Sequence, residues 1–350
     1  MKKYVLDYSQ KQEFNAGPKA RRDINNILNR EGYSSIYIDL FRQESENLIS
    51  KVFNRFKFLW QIQTKMTSIH KKSIVIMQYP FINNRTAFLA IKLMCTINKC
   101  VFITLIHDIE SIRRKKGDAC IIQEIKLLGM SDYVIAHNHA MRNVLESYSD
   151  AFDKKLYELE LFDYLVLSSK TDKNPDFCKK VIIAGNLLRE KSPYIYKLNE
   201  LHLNKITIDL YGSNYQEDSN RTINYKGVFA PEKIPFHEGF GLIWDGDRVD
   251  TCSGNTGEYM RINNPHKLSL YMAAGIPVIV WKESAIAKFV QKNNVGFCVD
   301  SLHEIDELIG NVTEETYREL LKNVKPISER VRKGYYISNV LSKIYNDTTI

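Results

Sequence analysis

His107, Asp108 and Glu110 fall within four residues of one another, directly after the apolar run Val101-Phe102-Ile103-Thr104-Leu105-Ile106. Ionisable groups at the end of a strand can host a general base, which takes the proton from a hydroxyl as that hydroxyl attacks. The plainer alternative is a helix-capping Asp108 beside a hydrogen-bonded His107. The basic run Arg113-Arg114-Lys115-Lys116 follows. It suits a solvated loop or a contact with membrane phosphates.

Anion-binding chemistry is written at three other places. Asn15-Ala16-Gly17-Pro18-Lys19-Ala20-Arg21 joins a turn-forming Gly17, a Pro18 suited to the first helical position and two cations. A helix N-terminus of this kind attracts anions; an ordinary helix start is the alternative. The stretch is not the G-x-G-x-x-G pattern, so nothing supports a dinucleotide cofactor. Arg189 follows Gly185-Asn186, where its planar fork would match a diphosphate; a surface arginine is the alternative. In Asn264-Pro265-His266-Lys267-Leu268-Ser269-Leu270 a helix starts near Pro265 with Lys267 in its first turn. A cation there opposes the helix dipole, a conflict that a bound anion relieves. A solvated lysine is the plainer reading.

Two clusters suggest metals more than they support them. Asp245-Gly246-Asp247 with Asp250 could hold Mg²⁺ but lacks a full ligand set, so a solvated loop or contacts to sugar hydroxyls fit better. His137 and His139 flank Asn138, which reads as a helix N-cap between two surface histidines rather than half a zinc site.

These residues need elements to position them. Short β-branched runs alternate with amphipathic stretches from Tyr4-Val5-Leu6 to Asp132-Tyr133-Val134-Ile135-Ala136. Helices are expected over about Pro18–Arg30, Glu44–Ile69 and Arg85–Ile97 between them. After the polar stretch Ser168–Asn174 the pattern restarts, with strands at Lys180–Gly185, Lys205–Leu210, Phe240–Trp244, Pro277–Val280 and Val295–Val299. Two such series predict two doubly wound α/β domains, with ligands held beyond the carboxyl ends of the strands. The expected boundaries are 1–170 and 175–326, with a final helical segment, 327–350, that could cross back to the first domain.

At 350 residues the chain suits two domains, and 44% hydrophobic residues with 26% charged mark a globular protein. No run is long enough to span a membrane, and the N-terminus turns polar too early for a signal peptide, so a cytoplasmic location is expected. Six scattered cysteines without a C-x-x-C pair read as buried free thiols. The formal net charge of +8 favours anionic partners. A nucleic-acid partner has only that charge to recommend it and no recognition motif.

The stretches Gly239–Asp247, Asp250–Gly254 and Asn264–Pro277 resemble bacterial galactofuranosyltransferases of surface-polysaccharide assembly. More distantly, the chain is similar to the glucosyltransferase that extends N-acetylglucosamine on serine-rich streptococcal adhesins. Asn15–Ala20, Gln78-Tyr79-Pro80, His107-Asp108, Gly185-Asn186 with Arg189, and Arg332–Tyr335 extend the resemblance over nearly the whole chain. It implies the GT-B fold, two Rossmann-like domains facing each other across a cleft, and a UDP-sugar donor with no metal or other cofactor. It places the donor on Arg189, Pro265, His266, Lys267, Leu268, Ser269 and Leu270, with an aromatic contact on Phe229 or Tyr225; Asp245 and Asn264 complete the expected donor set. In the first domain it adds Ala16, where the adhesin enzyme has a threonine; Gly17 and Lys19 of the same loop are expected beside it from their turn and charge. The acceptor falls to Gln78, Tyr79 and Glu110. Asp108 is the candidate base for an inverting transfer, with His107 and Glu110 as substitutes.

The acceptor this implies is a lipid-linked glycan at the inner face of the membrane. The basic and aromatic segment Lys51–Trp60 could lie on a bilayer, or pack on its own sheet. A UDP-glucose or UDP-N-acetylglucosamine transferase and a non-catalytic partner protein are the rival readings. Oligomeric state stays open, a homo-oligomer included.

Overall fold

The computed structural model describes residues 1–8, 16–39, 48–81, 84–166, 176–216 and 223–347. They form two compact units. Unit 1 comprises Met1–Gln12, Ile24–Leu159 and Val340–Ile350; unit 2 comprises Glu13–Asp23 and Glu160–Asn339. The linker expected at Ser168–Asn174 and the Asn15 loop lie outside the described residues.

Unit 1 is built on six strands: β1 (Lys3–Tyr8), β2 (Ser34–Ile38), β3 (Ile74–Tyr79), β4 (Val101–Ile106), β5 (Tyr133–Ala136) and β6 (Leu156–Glu158). All pair in parallel, in the order β2-β1-β3-β4-β5-β6. Every residue of β3 is buried, which is why its sequence runs apolar without alternation. The connecting helices are α1 (Ala16–Arg30), α2 (Leu48–Thr67), α3 (Asn84–Ile97), α4 (Glu110–Arg113), α5 (Asp118–Leu128) and α6 (His139–Tyr148). Tyr4, Leu6, Val75, Met77, Phe102 and Val134 turn one sheet face into a core shared with α2, α3, α5 and α6.

Unit 2 repeats the scheme with β7 (Lys180–Ala184), β8 (Thr207–Tyr211), β9 (Ile223–Tyr225), β10 (Phe240–Ile243), β11 (Val278–Trp281) and β12 (Gly296–Val299). The order is β12-β11-β10-β7-β8-β9, again parallel. Its helices are α7 (Gly254–Tyr259), α8 (His266–Ala274), α9 (Ala287–Asn293), α10 (Ile305–Gly310) and α11 (Glu314–Lys333), and α12 (Tyr335–Asp347) is the last element among the described residues. The first residues of α12 belong to unit 2 and those from Val340 to unit 1. There Tyr345 meets the Tyr33 hydroxyl and lies under the Lys3 ammonium, 5.0 Å from its ring centre.

In each sheet the chain winds outward in both directions from a central pair, β1 and β3 in unit 1 and β7 and β10 in unit 2. The carboxyl ends of such a pair open a crevice.

The sequence pattern missed β6 and β9. Each is a three-residue edge strand, too short to show a period. Two other expectations need correction. Asn138 does cap α6, accepting the Met141 N–H at 3.0 Å, but only His139 is at the surface. His137 is buried against the Ile106 carbonyl, 3.1 Å away, and burial pushes its imidazole down to about 4. Among the cysteines, Cys95, Cys100 and Cys252 are buried, whereas Cys120 is exposed.

Candidate active site

The best-built feature of unit 2 is the way α8 is pinned across β10 and β7. Tyr271 is fully buried; its hydroxyl accepts the Ala184 N–H at 2.9 Å and donates to the Ile182 carbonyl at 3.0 Å. Its ring occupies the space where a side chain at Gly241 would begin, so only glycine fits that position of β10. One turn earlier, on the same helix face, stands Lys267. Its ammonium lies 3.4 Å from the Trp244 carbonyl after β10, and its Cε would be 3.5 Å from a Cβ at Gly185 after β7. Lys267 therefore sits at the crevice between the central strands. Pro265 is the N-cap of α8 and offers no side-chain cap. An uncapped helix start and an ammonium converge there, an arrangement that favours an anion.

Arg189 stands on the same side of the unit, beyond β7. Its guanidinium stacks 4.1 Å over the Tyr196 ring, and its Nε is 3.4 Å from Gln216 Oε1. Tyr196 is fixed in turn: its hydroxyl donates to the Leu187 carbonyl at 2.6 Å and accepts the Gln216 N–H at 3.1 Å. Such a pre-set guanidinium loses little freedom on binding a phosphate. Tyr225 donates its hydroxyl to the Gly212 carbonyl at 2.9 Å and packs 4.9 Å from Tyr215. Phe229 packs edge-on against Tyr211 and Phe236. Tyr225 is the last residue of β9, and Phe229 follows that strand.

Other expected donor residues are held by contacts within the fold. Leu268, Ser269 and Leu270 are buried. Asn264 is buried and donates to the Glu160 carbonyl at 2.7 Å. His266 packs 5.0 Å from Tyr164; burial, reinforced by the Lys19 charge, pushes its imidazole down to about 3. Asp245 accepts the N–H of Gly246 at 2.8 Å and shapes the loop after β10. Asp247 accepts the Ser253 hydroxyl and Asp250 the Arg248 guanidinium. Among the described residues no three His, Cys, Asp or Glu side chains gather as a metal site.

Lys19, expected to bring positive charge to the donor at the start of α1, is buried. It is 1% exposed, paired with Asp23, bonded to the Leu165 carbonyl at 2.6 Å and set 4.5 Å over the Tyr164 ring. Burial holds this ammonium below its ordinary value and the Asp23 carboxyl above its own. Its partners make it a tie within unit 2. Ala16 and Gly17 open α1 just before it.

In unit 1 a buried chain of polar groups runs along the carboxyl ends of the central strands. The Asp7 carboxylate accepts Asn25 Nδ2 at 2.9 Å; Asn25 Oδ1 accepts Gln78 Nε2 at 2.9 Å; Gln78 Oε1 meets His107 Nε2 at 2.8 Å. A carboxylate only accepts, so each amide is oriented in turn from Asp7. The last oxygen then requires a proton on His107 Nε2, and a neutral His107 carries its lone pair on Nδ1. Next to it, Asp108 accepts from Arg113 at 2.7 Å, and Glu110 is paired with Arg113 and Arg114. Tyr79 is buried, its hydroxyl donating to Glu124 Oε1 at 2.6 Å. Glu124 also accepts the N–H groups of Glu110 and Ser111, capping α4 from a distance.

The structure thus joins Gln78 to His107 and Asp108 to Glu110 through arginine, and it takes Tyr79 into the core. Sequence reasoning missed Asp7, Asn25, Glu124, Tyr196 and Tyr271. Asp7 was the one with a visible signal, a carboxylate closing the first apolar run.

Two family models match, the glucosyltransferase 3-like N-terminal domain over residues 2–161 and the glucosyltransferase 3-like C-terminal domain over residues 181–344. The β-1,6-galactofuranosyltransferase WbbI of Escherichia coli K12 is 34% identical over 349 residues, 98% of this chain and 97% of that one. Glucosyltransferase 3 of Streptococcus gordonii is 25% identical, with 92% of each chain covered. Among solved structures, HepE of Anabaena in complex with UDP and glucose superposes with a TM-score of 0.61 at 12% identity, covering 99% of this chain and all of that one. The lipopolysaccharide glycosyltransferase WaaG gives a TM-score of 0.55 at 8% identity, covering 96% of this chain and 97% of that one. With two parallel six-stranded α/β sheets and matches along nearly its full length, the chain is a GT-B glycosyltransferase and belongs to the glucosyltransferase 3-like family.

Proposed function

We propose that the chain transfers galactofuranose from UDP-galactofuranose, with inversion, to a glycan acceptor of a bacterial surface polysaccharide. Unit 2 holds the nucleotide. Lys267 and the start of α8 neutralise the diphosphate, Arg189 takes its outer oxygens, and Tyr225 or Phe229 stacks on uracil. The single observation that carries this reading is the Lys267 ammonium at the crevice between β7 and β10, beside an uncapped helix N-terminus. The sugar follows the full-length relationship to WbbI.

Unit 1 supplies the base. The acceptor hydroxyl oxygen bonds to the anomeric carbon, the bond from that carbon to the diphosphate oxygen breaks, and UDP leaves with the electron pair. The hydroxyl proton goes to His107 Nδ1. We assign it there rather than to Asp108 because Asp108 is committed to Arg113. No residue is assigned to a metal.

The second reading is a UDP-glucose donor, favoured by the glucosyltransferase 3 relative and by HepE bound to UDP-glucose. Thermal-shift titration with UDP, GDP, UDP-galactofuranose, UDP-galactopyranose and UDP-glucose, beside Lys267→Ala, separates the two. Stabilisation by UDP compounds, greatest with the furanose and reduced in the variant, is the expected result. A larger shift with UDP-glucose selects the second reading. No shift with any nucleotide removes both.

A further inference from the structure

Unit 1 carries an apolar surface that nucleotide and acceptor chemistry leave unexplained. On α2, Val52, Phe56 and Trp60 recur every fourth residue with Phe53 beside them, and all are exposed, Phe56 by 70% and Trp60 by 68%. On α3, Leu89, Leu93 and Ile97 repeat the interval and are exposed as well. The buried residues of these helices, Phe58, Ile62 and Met66, then Ala87, Ile91 and Cys95, share one core on one sheet face. Each exposed stripe is offset by two residues from its buried counterpart, about 200° around the helix. Both stripes therefore look away from the sheet on the same side. Arg55 on α2 donates to the Thr86 hydroxyl on α3 at 2.8 Å and ties the two helices together.

Charge on this part of the chain has one sign. Residues 47–107 contain nine lysines and arginines and no acidic residue, although the whole chain has 41 aspartates and glutamates. That stretch contributes +9 against +8 for the entire chain, so the remainder is slightly acidic. Arg55, Lys57 and Lys65 on α2 and Arg85 on α3 are exposed among the apolar residues. A second copy is a poor occupant, because a two-fold contact through this face would set like charges against each other. An anionic bilayer supplies what the face lacks, an apolar layer beneath a sheet of phosphates. No helix among the described residues is long and apolar enough to cross a membrane, so the attachment is interfacial.

We infer that the outer faces of α2 and α3 dock on an anionic lipid bilayer. Phe56 and Trp60 enter the acyl boundary while Arg55, Lys57 and Arg85 meet headgroup phosphates. This holds whichever sugar the donor site takes.

Trp60 is its own probe. The chain has three tryptophans, and Trp244 and Trp281 are 0% and 1% exposed, so acrylamide quenching reports Trp60. With phosphatidylglycerol–phosphatidylcholine vesicles at low salt, the full chain should co-float, blue-shift and become protected from acrylamide. Pure phosphatidylcholine should protect much less. Phe56→Glu should weaken partitioning roughly tenfold or more with an unchanged unfolding temperature. Arg55→Ser with Lys57→Ser should abolish the preference for phosphatidylglycerol. Unchanged quenching of Trp60 with anionic vesicles overturns the inference, as does undiminished flotation of Phe56→Glu. A dimer that Phe56→Glu converts to monomer, without vesicle binding, would assign the face to self-association instead.

Discussion

At the scale of single residues, Lys267 and His107 carry the two halves of the proposed chemistry. Losing one charge-assisted hydrogen bond to a phosphate costs about 1.5–3 kcal/mol. Lys267→Ala should therefore raise the UDP dissociation constant roughly 10- to 150-fold, measured by calorimetry. An unchanged constant would move the diphosphate elsewhere. His107→Ala should lower kcat by about 10²–10⁴, whereas Asp108→Asn should cost far less. The opposite ranking returns the base to Asp108. Lys267 was legible in the sequence because a cation in the first turn contradicts the helix dipole. The tautomer of His107 was not legible. It depends on Asp7, Asn25 and Gln78, which lie on three different elements and meet only once the sheet has formed.

At the scale of elements, the position of Lys267 depends on the fit of α8 to its sheet. Tyr271→Phe leaves the Ala184 N–H and the Ile182 carbonyl without their hydroxyl, at about 1–3 kcal/mol. Gly241→Ala forces a methyl group into the Tyr271 ring, and overpacking of this kind costs about 1–3 kcal/mol. Both variants should unfold at lower urea concentration and bind UDP more weakly than their distance from the nucleotide suggests. If Gly241→Ala binds UDP normally, α8 is not the element that sets the site. The α8–β11 segment was the clearest in the sequence, since Pro265, Gly275 and Pro277 bracket it. The edge strands β6 and β9 were lost because three residues hold no period. Lys19 misled because a buried lysine and an exposed one read alike until Asp23 and Leu165 are seen around it.

At the scale of the whole molecule, two buried histidines link stability to pH. His137 is held at about 4 and His266 at about 3, against 6.5 for an ordinary imidazole. Below 6.5 the unfolded chain therefore binds more protons than the folded one. Their stabilising effect is complete above that value and is lost as the pH falls toward 4. The urea midpoint should decline from pH 7 to pH 5; a flat profile would mean these rings are hydrated in solution. Metal removal tests the proposed chemistry at the same scale: transfer should persist in excess EDTA, and loss restored by Mg²⁺ or Mn²⁺ would require a cation at the diphosphate. Two α/β series were readable in the sequence because buried parallel strands are long and apolar. The division of α1 between the units was not, since a helix sequence does not state which body its ends join.

The sharing of α12 between the units has a practical corollary. Lys3 and Tyr345 touch, so the first strand and the last helix end side by side in unit 1. A short glycine–serine bridge could join residues near the two ends, and the chain could be reopened between the two family-matched regions, after residue 161 and before 181. The circularly permuted polypeptide would begin with the larger part of unit 2 and end with the larger part of unit 1, with Glu13–Asp23 of unit 2 still inside its second half. A simple fragment ending at residue 161 would instead strip Tyr345 from Tyr33 and Lys3, leaving that seam open. Permutation, rather than truncation, is the way to reorder this enzyme while keeping both bodies intact.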